Sequence, residues 1–339
     1  MIIPHSKPYI SVFEANAVKE VINSRNLAMG EKVAKFEKKL AILSNRKFAV
    51  CVDSGFSALR LALLALNICE GDKVGLPAYS CVALANAILS IGGVPVFIDN
   101  AKNSNTINDK ENFSELKALI AVHTFGEQVD IKKIKENCDI PIIEDCAHAL
   151  GTKSYGFFGD LVISSFYATK LIGIGEGGVV LTDSDVYYKK ILEYRSYVDQ
   201  KPNKYKFNNK MTDVEATIGL CQLDMLEEMI QKRQQFAGRY NDSLGFLTQF
   251  GIQLPENSSD RIWYRYVIKV PEKEISTFKK HLNNYEIYAE IPVEPWLDSF
   301  EGLFSANDSF SCNLSLPLYP GLQDNEQKFI IDTIRKYFE

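Results

Sequence analysis

Through the first half of this chain, short apolar runs rich in β-branched residues alternate with helix-length segments. No other feature constrains the fold as much. The pattern predicts strands at 48–52, 73–76, 94–98, 119–123, 141–144 and 179–182. Apolar spacing predicts helices at 58–66, 80–91, 131–136 and 185–197. Crossover units of this size build an α/β fold with a mostly parallel sheet covered on both faces. Ligands of such sheets sit beyond the carboxyl ends of the strands. Ser54, Pro77 and Asp145 fall at those ends.

The flanking segments extend the pattern. Ser11 with Glu14, and Thr212 with Glu215, have the spacing of capping boxes that open helices. The second box opens a long helix whose apolar face is Val214, Ile218, Leu220, Leu223, Leu226, Met229 and Ile230. A helix is expected at 33–43, and 198–211 reads as an exposed loop or one that meets a partner subunit. Beyond Tyr240 the texture changes, with strands expected at 263–270 and 285–291 and helices at 271–282 and 324–338. The division is a large domain at 1–240 and a small C-terminal α+β domain at 241–339.

Composition narrows the function. A net charge of −5 over 339 residues, with no basic run interleaved with aromatics, argues against a nucleic-acid surface. No apolar stretch is long enough to span a bilayer and no signal peptide is seen, so a cytoplasmic location is expected. Seven irregularly spaced cysteines fit a reduced compartment and are expected mostly as small buried apolar residues. Cys146 and His148 lack a second close ligand pair, so no metal site is expected.

The chemistry concentrates between residues 142 and 180. An acid, Asp145, ends one apolar run; a lysine, Lys170, follows another and precedes a glycine cluster. A carboxylate able to steady a ring nitrogen and an amine able to join an aldehyde is the pair that pyridoxal 5′-phosphate chemistry requires. His148 can touch the ring hydroxyl or cover a ring face, while Ser165 and the turn at Gly55 can hold the phosphate. Gly173, Gly175 and Gly178 match a dinucleotide spacing, but a strand-like run follows where a helix should open, so that reading is rejected. Phe157, Phe158, Phe166 and Tyr167 are expected in the core.

Nearly the whole chain resembles the DegT/DnrJ/StrS aminotransferases. The resemblance is carried by SKPYI at 6–10, ALRLALLAL at 58–66, GDKVGLP at 71–77 and GGVPVFID at 92–99. It continues through IEDCAHALG at 143–151, SSFYATK at 164–170, GEGGVV at 175–180, EATIGLCQL at 215–223 and SLPLYP at 315–320. It implies the aspartate-aminotransferase-like fold (fold type I) and a homodimer with both active sites at the interface. Lys170 is carried over as the lysine that joins the cofactor, and Asp145 as the partner of its ring nitrogen. His148 falls where the family has Gln or His, Ser165 on the phosphate-binding serine, and Asn208 on an asparagine that reaches the neighbouring subunit's phosphate.

The chain departs from the family in three places. Phe56 replaces a threonine after Ser54-Gly55, leaving only backbone N–H groups to the phosphate, and Cys81 replaces a ring-stacking aromatic, with Tyr79 close by. Lys206 and Lys210 stand where the family has Gly and Arg. The implied activity is transfer of an amino group from glutamate to a keto-sugar, nucleotide-linked, for surface polysaccharide or related glycan biosynthesis. The rivals are a sugar dehydratase, which has His in place of Lys170, and a non-catalytic scaffold of the same fold.

Overall fold

The computed structural model describes residues 2–151, 158–197, 205–258, 260–299 and 301–339. Of the loop expected at 198–211, residues 198–204 lie outside the described residues, as does the core assignment of Phe157.

Helices α1 (Val12–Ser24) and α2 (Glu31–Leu43) precede β1 (Phe48–Val52) and α3 (Gly55–Ala65). Then come β2 (Lys73–Pro77), α4 (Ala83–Leu89), β3 (Val94–Ile98), β4 (Ala118–Val122), α5 (Ile131–Asn137) and β5 (Ile142–Asp145). They are followed by β6 (Leu161–Ser165), β7 (Gly178–Thr182), α6 (Asp185–Arg195), α7 (Asp213–Asp224) and α8 (Leu226–Leu244). The chain ends with β8 (Tyr266–Lys269), α9 (Glu272–Asn284), α10 (Phe304–Cys312), β9 (Asn313–Leu316) and α11 (Asp324–Phe338).

Seven strands form one sheet in the order β1-β7-β6-β5-β4-β2-β3, in which β7 pairs antiparallel with both β6 and β1 and the other pairings are parallel. Register then does what no local signal could. Val52 opposes Gly178, and Gly178 opposes Ser165, so the ends of β1 and β6 flank the start of β7 on one edge. Asp145 ends β5 on that edge, opposite Ile163. The faces of the sheet are dry: Val50, Val52, Leu61, Val74, Ile120 and Ile163 are buried on one core, and Cys51, Val162, Phe166 and Val179 on another.

Both capping boxes form: Ser11 and Thr212 donate N–H groups to Glu14 and Glu215 at 2.9 and 2.8 Å. The long helix expected from Thr212 is instead two helices that meet at Met225. Its buried face also differs. α7 buries Ala216, Thr217, Gly219 and Gln222, while Val214, Ile218 and Leu220 are only half-buried. The cause is close packing: a Cβ at Gly219 would stand 2.5 Å from the Phe36 ring of α2. Small residues let the two helices approach, so apolar periodicity points to the wrong face. Phe36 in turn packs on Phe166, ring centroids 5.2 Å apart, just before the Lys170 loop.

A third core gathers Phe236, Tyr240, Leu244, Trp263, Tyr266, Phe278, Leu314 and Ile330, with Ile3 from the N-terminus. The strand expected at 263–270 is shortened because Trp263 takes φ 53°, which turns 263–265 out of extended geometry. The strand expected at 285–291 makes only isolated bridges, at Ile287 and Glu290, and β8 pairs with β9, which the sequence pattern did not indicate. Trp296 ties this unit to the turn after β2 by donating to the Ser80 carbonyl at 2.7 Å. Among the cysteines only Cys51 and Cys146 are buried; Cys69 and Cys81 are exposed, contrary to expectation, because they lie in turns.

Gly219→Ala sets two effects against each other. Helix propensity gains about 1 kcal/mol, whereas overpacking against a buried ring costs about 1–3 kcal/mol. We expect a net loss of about 1 kcal/mol, read as a lower urea midpoint. A higher midpoint would show that Phe36 yields freely.

Candidate active site

Lys170 lies near the tip of the loop between β6 and β7. That loop folds back on itself: the Phe166 N–H donates to Gly177 and the Ala168 N–H to Gly175, at 2.8 and 2.9 Å. Gly175 at φ 101° and Gly177 at φ 155° supply a backbone that side chains rarely adopt. Buried Ile172 and Ile174 anchor the loop below. The Lys170 N–H donates to the Tyr167 carbonyl at 2.7 Å, and Nζ stands 5.0 Å from the Tyr264 ring centroid. Tyr167 itself is 48% exposed rather than in the core; Phe166 is buried and Phe158 half-buried, as expected.

Asp145 is buried, and its Oδ1 accepts the Ala147 N–H at 2.9 Å. Burial raises its pKa above the ordinary carboxylate value; the Ala147 hydrogen bond and the Lys170 charge offset this only in part. His148 lies three residues on, its ring stacked on Tyr264 at 4.1 Å and on Phe125 at 5.8 Å. Its Nδ1 accepts the Phe125 N–H at 3.2 Å. Withdrawal from water, then the charges of Lys170 and Arg265, hold the imidazole well below its usual pKa. A neutral ring whose Nδ1 accepts carries its hydrogen on Nε2, so His148 offers a donor.

The second half of the site is a cradle. Ser54 caps α3 by accepting the Ser57 N–H at 3.1 Å. The N–H groups of Gly55 and Phe56 have no hydrogen-bond partner among the described residues. A Cβ at Gly55 would stand 2.7 Å from Ser165 Cβ and 2.9 Å from its Oγ, so the helix start lies directly against the serine. Free N–H groups, the positive end of a helix dipole and a hydroxyl suit a phosphate. With a buried acid and a lysine on the same sheet edge, the residues present fit pyridoxal phosphate.

Three expected residues stand apart. The Phe56 ring packs toward the core beside Arg60, at 5.9 Å, leaving only its backbone to the cradle. Cys81 is exposed in the turn before α4, and Tyr79 is fully buried, its hydroxyl taking the Asn313 amide at 2.9 Å. Tyr79 therefore packs on Phe125 and Phe310 between the two units and is not available to a ring. Asn208 is exposed, whereas its neighbour Asn209 bonds Asp53 and Ser57, both at 3.0 Å. Cys146 meets His123 and Glu144 rather than His148; His123 bonds Glu144 at 2.8 Å and accepts the Val129 N–H at 3.1 Å, which engages both ring nitrogens. A polar cleft of about 410 Å³ between 103–105, 126–128 and the 253–261 segment contains neither Lys170 nor Asp145.

Tyr264 and Arg265 were not anticipated as site residues. An aromatic and a cation side by side were visible in WYRY, but strand alternation assigned them to opposite faces. Burial pushes the Tyr264 phenol up; the Lys170 and Arg265 charges and hydrogen bonds with Thr169 and Arg265 bring it down to about 8.

The family model described as the DegT/DnrJ/EryC1/StrS aminotransferase family matches residues 8–335. The chain belongs to that family. GDP-perosamine synthase of Vibrio cholerae is 30% identical, covering 99% of each chain. The 3-oxo-glucose-6-phosphate:glutamate aminotransferase of Bacillus subtilis is also 30% identical, covering 94% of this chain and 78% of that one. The crystal structure of NtdA from Bacillus subtilis with its bound cofactor PMP superposes with a TM-score of 0.88 at 27% identity, over 96% of this chain and 81% of that one. The fold is thus that of pyridoxal-phosphate-dependent sugar aminotransferases, and this member of the family is a pyridoxal-phosphate-dependent transaminase.

The raised pKa of Asp145 has a sign. Its carboxyl binds a proton more readily folded than unfolded, so its charge costs stability above the folded value, and the cost is gone below the unfolded value of 3.8. Asp145→Asn should raise the melting temperature of the cofactor-free protein at pH 7 by about 1–3 °C. The difference should vanish below about pH 4, while turnover is lost. A melting temperature that falls at pH 7 would refute the assignment of a net burial penalty.

Proposed function

We propose that this enzyme moves the amino group of glutamate to a keto-sugar, nucleotide-linked, in the synthesis of a surface polysaccharide or related glycan. The observation that carries the site assignment is the sharing of one sheet edge by Lys170, Asp145 and the Gly55–Ser165 cradle. The glutamate donor and the sugar acceptor are supported by the names of the two relatives at 30% identity. Free thiols at the described cysteines agree with a cytoplasmic setting, and no described helix is long and apolar enough to cross a membrane. We retain a division into two units, 1–240 and 241–339, although its boundary falls inside α8, whose Phe236 and Tyr240 pack with Ile3 in the core of the C-terminal unit.

When bound, pyridoxal phosphate supplies an electron-withdrawing ring that makes the hydrogen on the amine-bearing carbon removable. Asp145 would pair with the ring nitrogen and favour its protonated form, and the Lys170 charge works against burial to keep that carboxylate ionised. His148 donates from Nε2, its ring held between Phe125 and Tyr264. The N–H groups of Gly55 and Phe56 and the Ser165 hydroxyl would hold the phosphate. The Lys170 amine removes the proton from the donor carbon and returns one on the acceptor's carbon.

A homodimer completes this reading, with Asn208 reaching the neighbouring subunit's phosphate. In support, Asn208 is exposed, and so are the apolar Val12, Phe13 and Ile22 of α1, with Phe13 at 69%.

The decisive experiment supplies cofactor, glutamate and a panel of keto-sugars, both nucleotide-linked and sugar phosphates, and reads product mass. An aminated nucleotide sugar is expected; no amination of any sugar would sink the proposal. Lys170→Ala should lose both turnover and the visible absorbance of the bound cofactor. Shared sites predict a further result: inactive Lys170→Ala and Asn208→Asp subunits, mixed to form hybrids, should recover about a quarter of wild-type activity. Recovery of none would place Asn208 in its own subunit's site, and an Asn208→Asp protein active by itself would place it outside any site.

A further inference from the structure

Arg265 follows Tyr264 at the entry to β8 and is half-buried. A guanidinium offers five N–H donors. Here one reaches the Pro292 carbonyl at a long 3.4 Å, and the Tyr264 phenol takes another hydrogen bond. No carboxylate of the described residues pairs with it. Two other withdrawn arginines are matched by acids: Arg46 to Asp183 at 2.7 Å and Arg195 to Glu37 at 2.6 Å. Arg233, fully inside, spends one nitrogen on the carbonyls of Trp263, Tyr264 and Leu318. Arg265 has neither an acid nor such a cage.

Its position matters as much as its vacancy. The guanidinium carbon stands 5.5 Å from the Tyr264 ring centroid, and Lys170 Nζ stands 5.0 Å from the same centroid. Both cations act on His148. Asp145 is the acid that Lys170 faces, and the proposed function commits it to the cofactor's ring nitrogen. Positive charge is therefore in excess beside the reacting lysine, after the cofactor's partner has been counted. A half-buried charge without a partner costs stability, and a planar fork of donors matches carboxylate and phosphate oxygens.

We propose that Arg265 is an anion anchor of the active site, gripping a carboxylate or phosphate of a substrate so that the reacting carbon is held beside Lys170. This rests on the aminotransferase reading. The ligand chemistry is an oxyanion with two possible sources, the carboxylates of the amino donor and the phosphates of the sugar's carrier. The donor is favoured, since its amine must reach Lys170 while its carboxylates need a cation close by. Tyr264 is the positioning residue: its hydroxyl and ring hold the guanidinium in place.

The test uses cofactor-loaded wild type, Arg265→Gln and Arg265→Lys, titrated calorimetrically with two kinds of unreactive probe. Glutarate is a dicarboxylate with no amine to transfer; UDP and GDP carry the phosphates. The expected result is that glutarate binds Arg265→Gln about tenfold more weakly than wild type, with Arg265→Lys between them and the diphosphates unchanged. A tenfold loss for the diphosphates alone also supports the anchor and assigns it to the sugar's carrier. Equal binding of both probes by all three proteins overturns it, as does a wild type that binds neither. Should Arg265→Gln fail to fold, the lysine variant decides, since it keeps the charge but loses the fork: about a threefold loss for either probe is expected, and none overturns the proposal. The visible absorbance of the cofactor is recorded in every sample. A wild type that binds glutarate through Arg265 yet aminates no sugar would refute the proposed function and leave the anion site standing.

Discussion

The site depends on a place where no side chain can be. Gly178 begins β7 between the ends of β1 and β6, and any Cβ there would meet the Ser54 carbonyl and, at 2.9 Å, the Gly55 nitrogen. Because the position is bare, the helix start after β1 can close over β7 and reach Ser165 on the far strand. Gly55 repeats the device against Ser165 itself. Two missing side chains thus bring a hydroxyl and two unpartnered N–H groups together across three strands. The reversed direction of β7 is part of the same solution, since it puts the strand's start on the edge where its neighbours end.

Support for Lys170 runs through packing instead. Gly219 lets α7 approach Phe36; Phe36 meets Phe166; Phe166 opens the loop that carries the lysine. A helix-packing contact far from the chemistry therefore sets the loop's footing. The small unit contributes from the other side, where Tyr264 closes on His148 and Trp296 holds the turn after β2. The site is a junction of two cores, and neither alone supplies all its walls.

That division explains what could be read in the sequence. Strands buried on both faces announce themselves by composition, so the parallel sheet and the ends carrying Ser54 and Asp145 were legible. Lys170 and Asp145 were legible because their chemistry is complementary and the stretches that carry them, IEDCAHALG and SSFYATK, resemble the family's. The small unit was read less well. Trp263 at φ 53° shortens what alternation takes for a longer strand, and β9 is only four residues, Asn-Leu-Ser-Leu, whose Asn313 is buried and bonds Tyr79. Tyr264 and Arg265 were missed for the same reason: their roles come from a backbone turn that pattern does not encode. The burial of α7 was misread because its close contact uses glycine and alanine, which carry no apolar signal.

Electrostatics ties these parts into one device. Asp145 is buried at a cost that Lys170 offsets only partly, as its raised pKa records. His148 is kept neutral beside two cations, and the Tyr264 phenol is drawn down to about 8 by those cations. Each group is therefore displaced from its resting preference in water. A protein built for stability alone would pair these charges or remove them. Here they remain in excess on the positive side, along one edge that also offers unpartnered N–H groups. Such an arrangement is relieved by ligands that bring negative charge and a protonated ring, so the fold has stored at this edge a demand that a phosphorylated heteroaromatic cofactor and an anionic substrate meet together.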